Sequence, residues 1–263
     1  MNERKGAKNI ASIQKDILDS LHKGEIESAN LVEWLAIDPV ILIKNFLTKN
    51  NRNKYYSKIV NRVDSLKKKS VTSINEAIGE ELLIQTKLNS DEELFDLLAK
   101  AKSDSLRNIA AYFIGKDDSL TQKEVFQKIK PFANDSHFGV REIAWLTTRP
   151  ILQMNLEKGI LILEKWSHSK SEFERRFASE ISRPRGVWCK HIEELKINPD
   201  LALPILEPLF SDPSKYVRDS VGNWLNDAGK TKPDFVKRLV TKLSQESKTK
   251  ETEYIIKKAT RNL

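Results

Sequence analysis

The chain is poor in the residues that break regular structure. It has 9 glycines and 9 prolines in 263 residues, where averages of roughly 7% and 5% would give about twice that glycine and half as much again of proline. An all-β chain needs many turn residues, so the scarcity points to helices. Cysteine is nearly absent: Cys189 stands alone. That excludes an intramolecular disulfide framework and a cysteine-rich zinc site. No uncharged apolar run reaches 18 residues, so no transmembrane helix is expected, and the N-terminus MNERKGAKNI lacks the apolar core of a signal peptide. The expected location is the cytoplasm, near the nucleoid in a bacterium. Walker, dinucleotide-binding and G-x-S-x-G motifs are missing. His22, His137, His168 and His191 show no paired ligand spacing, so neither a metal nor a catalytic cofactor is implied.

Basic charge and apolar content are present in quantity. Lys and Arg number 45 against 37 Asp and Glu, a net charge of +8, and apolar residues make up 39%. That apolar share fits a folded chain rather than a disordered one. A basic surface attracts polyanions, nucleic acid foremost.

Four segments repeat an Arg-x-x-(Ala/Val) step: Arg107 to Ala110, Arg141 to Ala144, Arg175 to Ala178 and Arg218 to Val221. The arginines lie 34, 34 and 43 residues apart, a period that suits a unit of two helices. Counting the residue before each arginine as zero, positions 3, 4 and 7 share its helix face. They read Ile109, Ala110, Phe113; Ile143, Ala144, Thr147; Phe177, Ala178, Ile181; and Ser220, Val221, Trp224. This face is expected to be core. Arg149-Pro150 and Arg183-Pro184 are expected to end their helices. Partner helices are expected over 91–100, 120–130, 153–166 and 199–210, the last kinked by Pro204 and Pro208. Further helices are expected over 9–23, 26–36, 38–49, 53–68, 233–247 and 250–261. Asp135-Ser136 and Asp212-Pro213-Ser214 are expected to cap helices. No alternating strand pattern exceeds five residues.

The predicted fold is therefore all-α, a HEAT-like helical-repeat solenoid in a curved α-α superhelix. Residues 1–86 form the N-terminal helical part and residues 87–263 the repeats with the groove, in one continuous domain. Opposite the core face, at ~100° per residue, fall Glu142, Glu180 and Asp227 within an arc of about 80°. Charge on such a face is ordinarily just its solvated side. Around these acids in sequence stand Arg141, Arg149, Arg175, Arg176, Arg183, Arg185, Lys190 and Arg218, the candidate DNA contacts. Acids in a basic groove repel phosphates and are better suited to chemistry than to affinity. Trp188 either stacks on a base or sugar or packs between repeats. Trp34, Trp166 and Trp224 are expected in the core, and Trp145 fits either side.

The stretch from about 132 to 229 resembles the DNA alkylation repair glycosylases of the AlkC/AlkD type, and the AlkC branch in particular. The resemblance is carried by HFGVREIAWLTTRP (137–150), ERRFASEISRPRGVWCKHIEELK (174–196) and LALPILEPLFSDPSKYVRDSVGNWLNDAGK (201–230). It implies a HEAT-like fold that cradles double-stranded DNA. It also implies hydrolysis of the N-glycosidic bond of cationic alkylated bases, 3-methyladenine and, for the AlkC branch, 3-methylcytosine, in base excision repair. By matching motif the active-site acids would be Glu142, Glu180 and Asp227, with Trp188 completing the site. Some AlkC relatives carry a further immunoglobulin-like domain, which this sequence is not expected to include. The expected state is a monomer. A non-catalytic DNA-binding protein and a protein-interaction scaffold remain the alternatives.

Overall fold

A computed structural model describes residues 4–263 of the chain. The described residues form helices and no strand, and the fold is an all-α, HEAT-like helical repeat. Two compact units are distinguished: one holds the chain up to Ser119 with Asp135–Thr147, the other Leu120–Asn134 with Thr148–Leu263.

The first unit contains α1 (Lys15–His22), α2 (Leu31–Ala36), α3 (Pro39–Lys49), α4 (Tyr56–Asp64), α5 (Val71–Asn89), α6 (Glu93–Ala99), α7 (Asp104–Gly115) and the start of α9 (Phe138–Met154). The second contains α8 (Gln122–Ala133), the end of α9, α10 (Leu156–Ser167), α11 (Glu172–Ile181), α12 (Glu193–Ile197), α13 (Leu203–Leu206), α14 (Lys215–Gly229), α15 (Pro233–Glu246) and α16 (Lys250–Ala259).

Helix starts follow local chemistry. Asp38 accepts from the amides of Val40 and Ile41 with Pro39 as first helical residue. Thr121 and Glu124 form a reciprocal capping box on α8, as Ser70 and Ser73 do on α5. Each cap satisfies amides that a helix N-terminus would leave bare. α5 was not among the expected elements. Its buried side includes Asn75, Glu81 and Thr86, while Ile84 and Leu88 are exposed, so apolar residues do not mark one face. Gly79 lets it approach α7 closely: a Cβ there would sit 2.7 Å from Tyr112 Cβ and 2.9 Å from the Ile109 carbonyl oxygen.

All twelve residues expected on the repeated core face are buried. In the second unit Phe126, Trp166 and Phe177 pack ring against ring, with Trp166 and Phe177 centroids 4.8 Å apart. The segment expected as a kinked helix over 199–210 is broken further, into two 3-10 turns flanking α13, because Pro204 and Pro208 both lack an amide donor. Pro150 does not end its helix as expected. α9 continues to Met154, where Leu152 is fully buried. Gln122 donates to the carbonyls of Ile151 (2.8 Å) and Asn155 (3.0 Å). Burial and the Gln122 amide hold the turn that proline weakens.

The repeated arginine also has a structural role. Each donates Nη1 to carbonyls six and five residues upstream: Arg107 to Ala101 and Lys102, Arg141 to Asp135 and Ser136, Arg175 to Ser169 and Lys170, Arg218 to Asp212 and Pro213. The guanidinium thus closes the turn between paired helices. Arg107 and Arg175 also grip an aspartate of the following repeat with two nitrogens, Asp135 at 2.7 and 2.9 Å and Asp212 at 2.6 and 3.0 Å. These aspartates accept from the amides of His137 and Ser214 as well, so they order the turn before the helix rather than cap it. Asp212→Ala should strip two guanidinium bonds and an amide bond from a site where the carboxylate is buried. The expected loss is about 3–5 kcal/mol in urea unfolding. A loss below about 1 kcal/mol would mean that the pair contributes no more than a surface ion pair does.

Candidate active site

The second unit brings Glu180 of α11 and Asp227 of α14 to one guanidinium. Arg183 follows the end of α11. It donates Nη1 to Glu180 Oε1 at 2.6 Å, and Nε and Nη2 to Asp227 Oδ2 at 3.0 and 2.6 Å. The second oxygen of Glu180 accepts from Ser220 at 2.7 Å, and Ser220 accepts from Ser179 at 2.8 Å. Asp227 Oδ1 accepts from Lys230 Nζ at 2.9 Å. Arg176 stands 3.8 Å from Glu180 and lies over the Tyr216 ring. Spacing explains the assembly. Glu180 and Arg183 are three apart on one helix end, and Asp227 and Lys230 are three apart on another.

These acids are not on the solvated face where the helical wheel puts them. Both are 4% exposed, because α14 packs against α11, α15 and α16 and the far side of the wheel is covered too. Burial works against ionisation of Glu180. Arg176 and Arg183 beside it and the Ser220 hydroxyl more than offset this and hold its carboxyl below the ordinary value. Two buried carboxylates near each other would otherwise repel, and the guanidinium between them offsets that repulsion.

Trp188 lies in the loop that Arg183 begins. The side chain is 79% exposed, which excludes packing between repeats. Its φ of 61° is left-handed, a conformation that costs a bulky residue about 1–3 kcal/mol and persists only when its surroundings impose it. The loop base supplies the restraint. Ile192 N–H donates to the Pro184 carbonyl at 3.0 Å. Arg149, 1% exposed, donates to the carbonyls of Ile181, Arg183 and Lys190 at 2.5, 2.5 and 3.1 Å. One buried guanidinium from α9 therefore ties both ends of the loop. Gly186 packs on it: a Cβ would meet Cys189 Sγ at 2.2 Å and Arg149 Cζ at 3.2 Å. Burial raises the Cys189 thiol above its ordinary value, against the pull of Arg149, so the thiol is not activated.

The eight expected DNA-contacting cations fall into separate groups. Arg149, Arg175 and Arg183 are corrected to internal roles, since their donors face protein carbonyls and carboxylates. Arg141 and Arg218 close turns with Nη1. Arg176 and Arg185 are half-buried and Lys190 is exposed. Glu142 belongs to the first unit, on α9, where its Oε2 accepts from the indole of the buried Trp145 at 2.7 Å. Trp34, Trp166 and Trp224 are core, and Trp224 donates to the Ser182 carbonyl. The sequence reading missed Lys230 and Ser220. Lys230 was detectable as an i,i+3 partner of Asp227; Ser220 sits at a core position and gave no signal. Among the described residues no three His, Cys, Asp or Glu side chains are grouped to hold a metal, and no helix is long and apolar enough to cross a membrane.

Comparison with known proteins finds relatives in sequence and in fold. A profile of the family described as DNA alkylation repair enzyme matches residues 84–263. A Bacillus subtilis (strain 168) protein described as uncharacterized, YhaZ, is 39% identical over 166 residues, covering 60% of this chain and 45% of its own. The chain thus spans under half the length of that relative. Among solved structures, Pseudomonas fluorescens alkylpurine DNA glycosylase AlkC, bound to DNA containing an abasic site analog, superposes with a TM-score of 0.67 at 22% identity. That match covers 85% of this chain and 61% of AlkC. AlkD2 from Streptococcus mutans gives 0.58 at 22% identity, over 80% and 99%.

Because Glu180 is held below its ordinary value of 4.5, its contribution to stability is present above that pH and is lost as pH falls further. Glu180→Gln should therefore be less stable than wild type at neutral pH, by about 2–4 kcal/mol. The gap should narrow only below about pH 4.5. Urea unfolding of both proteins across pH 3 to 8 measures it. A pH-independent gap would mean that the ion pairing contributes nothing.

Proposed function

The chain belongs to the DNA alkylation repair enzyme family, and on that premise we propose that it is a monofunctional glycosylase. Its substrates are cationic alkylated bases in double-stranded DNA, 3-methyladenine first and 3-methylcytosine second. The observation that carries this reading is the pairing of Glu180 and Asp227 at one guanidinium, below a loop that holds Trp188 in solvent.

The chemistry needs little more. A methylated, positively charged base leaves as a neutral molecule, so no general acid is required. Positive charge then develops on the deoxyribose as an oxocarbenium ion. A fixed carboxylate stabilises that cation without reorganising, which is the most effective form of electrostatic catalysis. It can also orient the attacking water. Asp227 and Glu180 take this part. The indole face of Trp188 attracts a cationic lesion more than a neutral base. Arg185 and Lys190, in the loop that bears Trp188, hold phosphates, which position the duplex without reading its sequence.

A second reading is a DNA-binding protein without catalysis. It is favoured by the fact that all four oxygens of the two acids already accept hydrogen bonds. The two readings separate in one assay. Freshly methylated duplex is incubated with the protein and released bases are resolved by chromatography. A glycosylase releases free 3-methyladenine, while Asp227→Asn and Glu180→Gln lower the rate about 100-fold or more and still bind DNA. Salt-sensitive binding with no base released by the wild type would establish the second reading.

A further inference from the structure

We propose that Lys230 is a stand-in cation: it occupies Asp227 in the free protein and yields that oxygen to the positively charged nucleotide. The inference rests on the reading of Asp227 as an acid that faces the damaged sugar.

The charges around the two acids leave no negative charge to spare. Glu180 and Asp227 carry two negative charges, and Arg183, Lys230 and Arg176, the last 3.8 Å from Glu180, carry three positive ones. Such a site has no surplus attraction for an incoming cation. For Asp227 to stabilise a cationic sugar, one of its two partners must withdraw. Arg183 cannot do so cheaply. Its side chain is 10% exposed, it holds both acids, and its departure would leave them buried and mutually repelling. Lys230 can. It lies just past the last residue of α14, its side chain is 46% exposed, and it bonds Asp227 through a flexible stem. Its ammonium meets Oδ1, whereas Arg183 meets Oδ2. The oxygen that the lysine covers is thus the one not already committed to the buried pair.

An exchangeable ammonium has a consequence for selectivity. It keeps Asp227 paired while undamaged DNA is bound, because a neutral nucleotide gives it no cause to leave. A cationic nucleotide replaces it with an equal charge and closer contact. The cost of displacement falls on every ligand that needs Oδ1, and only a cation recovers it. Lys230 therefore acts as a positioning residue, through Asp227, and sets the threshold for entry.

The test compares two duplexes, one carrying a pyrrolidine abasic analogue that is cationic at neutral pH and one carrying the neutral tetrahydrofuran analogue. Dissociation constants are measured by fluorescence anisotropy for wild type, Lys230→Met, Lys230→Arg and Asp227→Asn, with melting curves to confirm folding. Wild type should prefer the cationic duplex. Lys230→Met should raise that preference roughly tenfold, the scale of one partly screened charge contact, while Lys230→Arg stays near or below wild type. Asp227→Asn should abolish the preference. A Lys230→Met preference equal to or below that of wild type overturns the inference while leaving the function standing, provided Asp227→Asn still loses the preference. Equal binding of both duplexes by wild type and Asp227→Asn overturns the reading of Asp227 itself, and the inference with it.

Discussion

One buried guanidinium organises the second unit. Without Arg183, Glu180 and Asp227 would be two carboxylates shut away from water at close range, and proton uptake by one of them would be the cheapest relief. With it, both are paired in a setting of low polarity, where a charge acts further than it does in water. The same residue ends α11 and starts the loop bearing Trp188, so the electrostatic centre and the exposed aromatic share one stretch of backbone. Arg149 completes the frame. It spends its donors on carbonyls at both ends of the loop, so the left-handed Trp188 is imposed from below rather than left to fluctuate.

Arginine therefore plays three parts in this fold. At the repeated position it closes the turn between paired helices, and in two repeats it grips the aspartate of the next. At 149 and 183 it is an internal fastener with carbonyl and carboxylate partners. Arg149, Arg175 and Arg183 thus serve the fold itself. Guanidinium suits the internal parts because its planar fork makes several directed bonds at once and stays protonated when buried.

Much of the architecture was legible from the chain. The period of the arginine step located the repeats, and the offsets at 3, 4 and 7 found twelve buried residues, since a helix that packs on one side prints its face into the sequence. What failed did so for physical reasons. α5 buries Asn75, Glu81 and Thr86 and exposes Ile84 and Leu88, so no apolar stripe marks it. Pro150 looked like a stop because the burial of Leu152 and the bonds from Gln122 come from tertiary structure. The wheel placed Glu180 and Asp227 opposite the core correctly as angles, but α14 has neighbours on several sides, and opposite the core did not mean exposed to water. The resemblance to the AlkC branch pointed to the same acids, Glu142 included, yet neither route could show that Arg183 lies between Glu180 and Asp227.

On the proposed reading, that position decides how the site works. A lone exposed carboxylate would attract any cation, including hydrated metal ions and lysines of other proteins, and would gain little from a sugar charge spread over two atoms. A carboxylate already paired inside the protein attracts nothing at long range. It becomes effective only for a cation brought to contact distance with water excluded, as a nucleotide held by its phosphates is. Pairing therefore trades affinity for selectivity. It requires that one partner be permanent, to keep the acids ionised, and that the other be exchangeable, to leave one oxygen available. Arg183 and Lys230 differ in burial, stem and number of bonds in the directions that this division of roles requires.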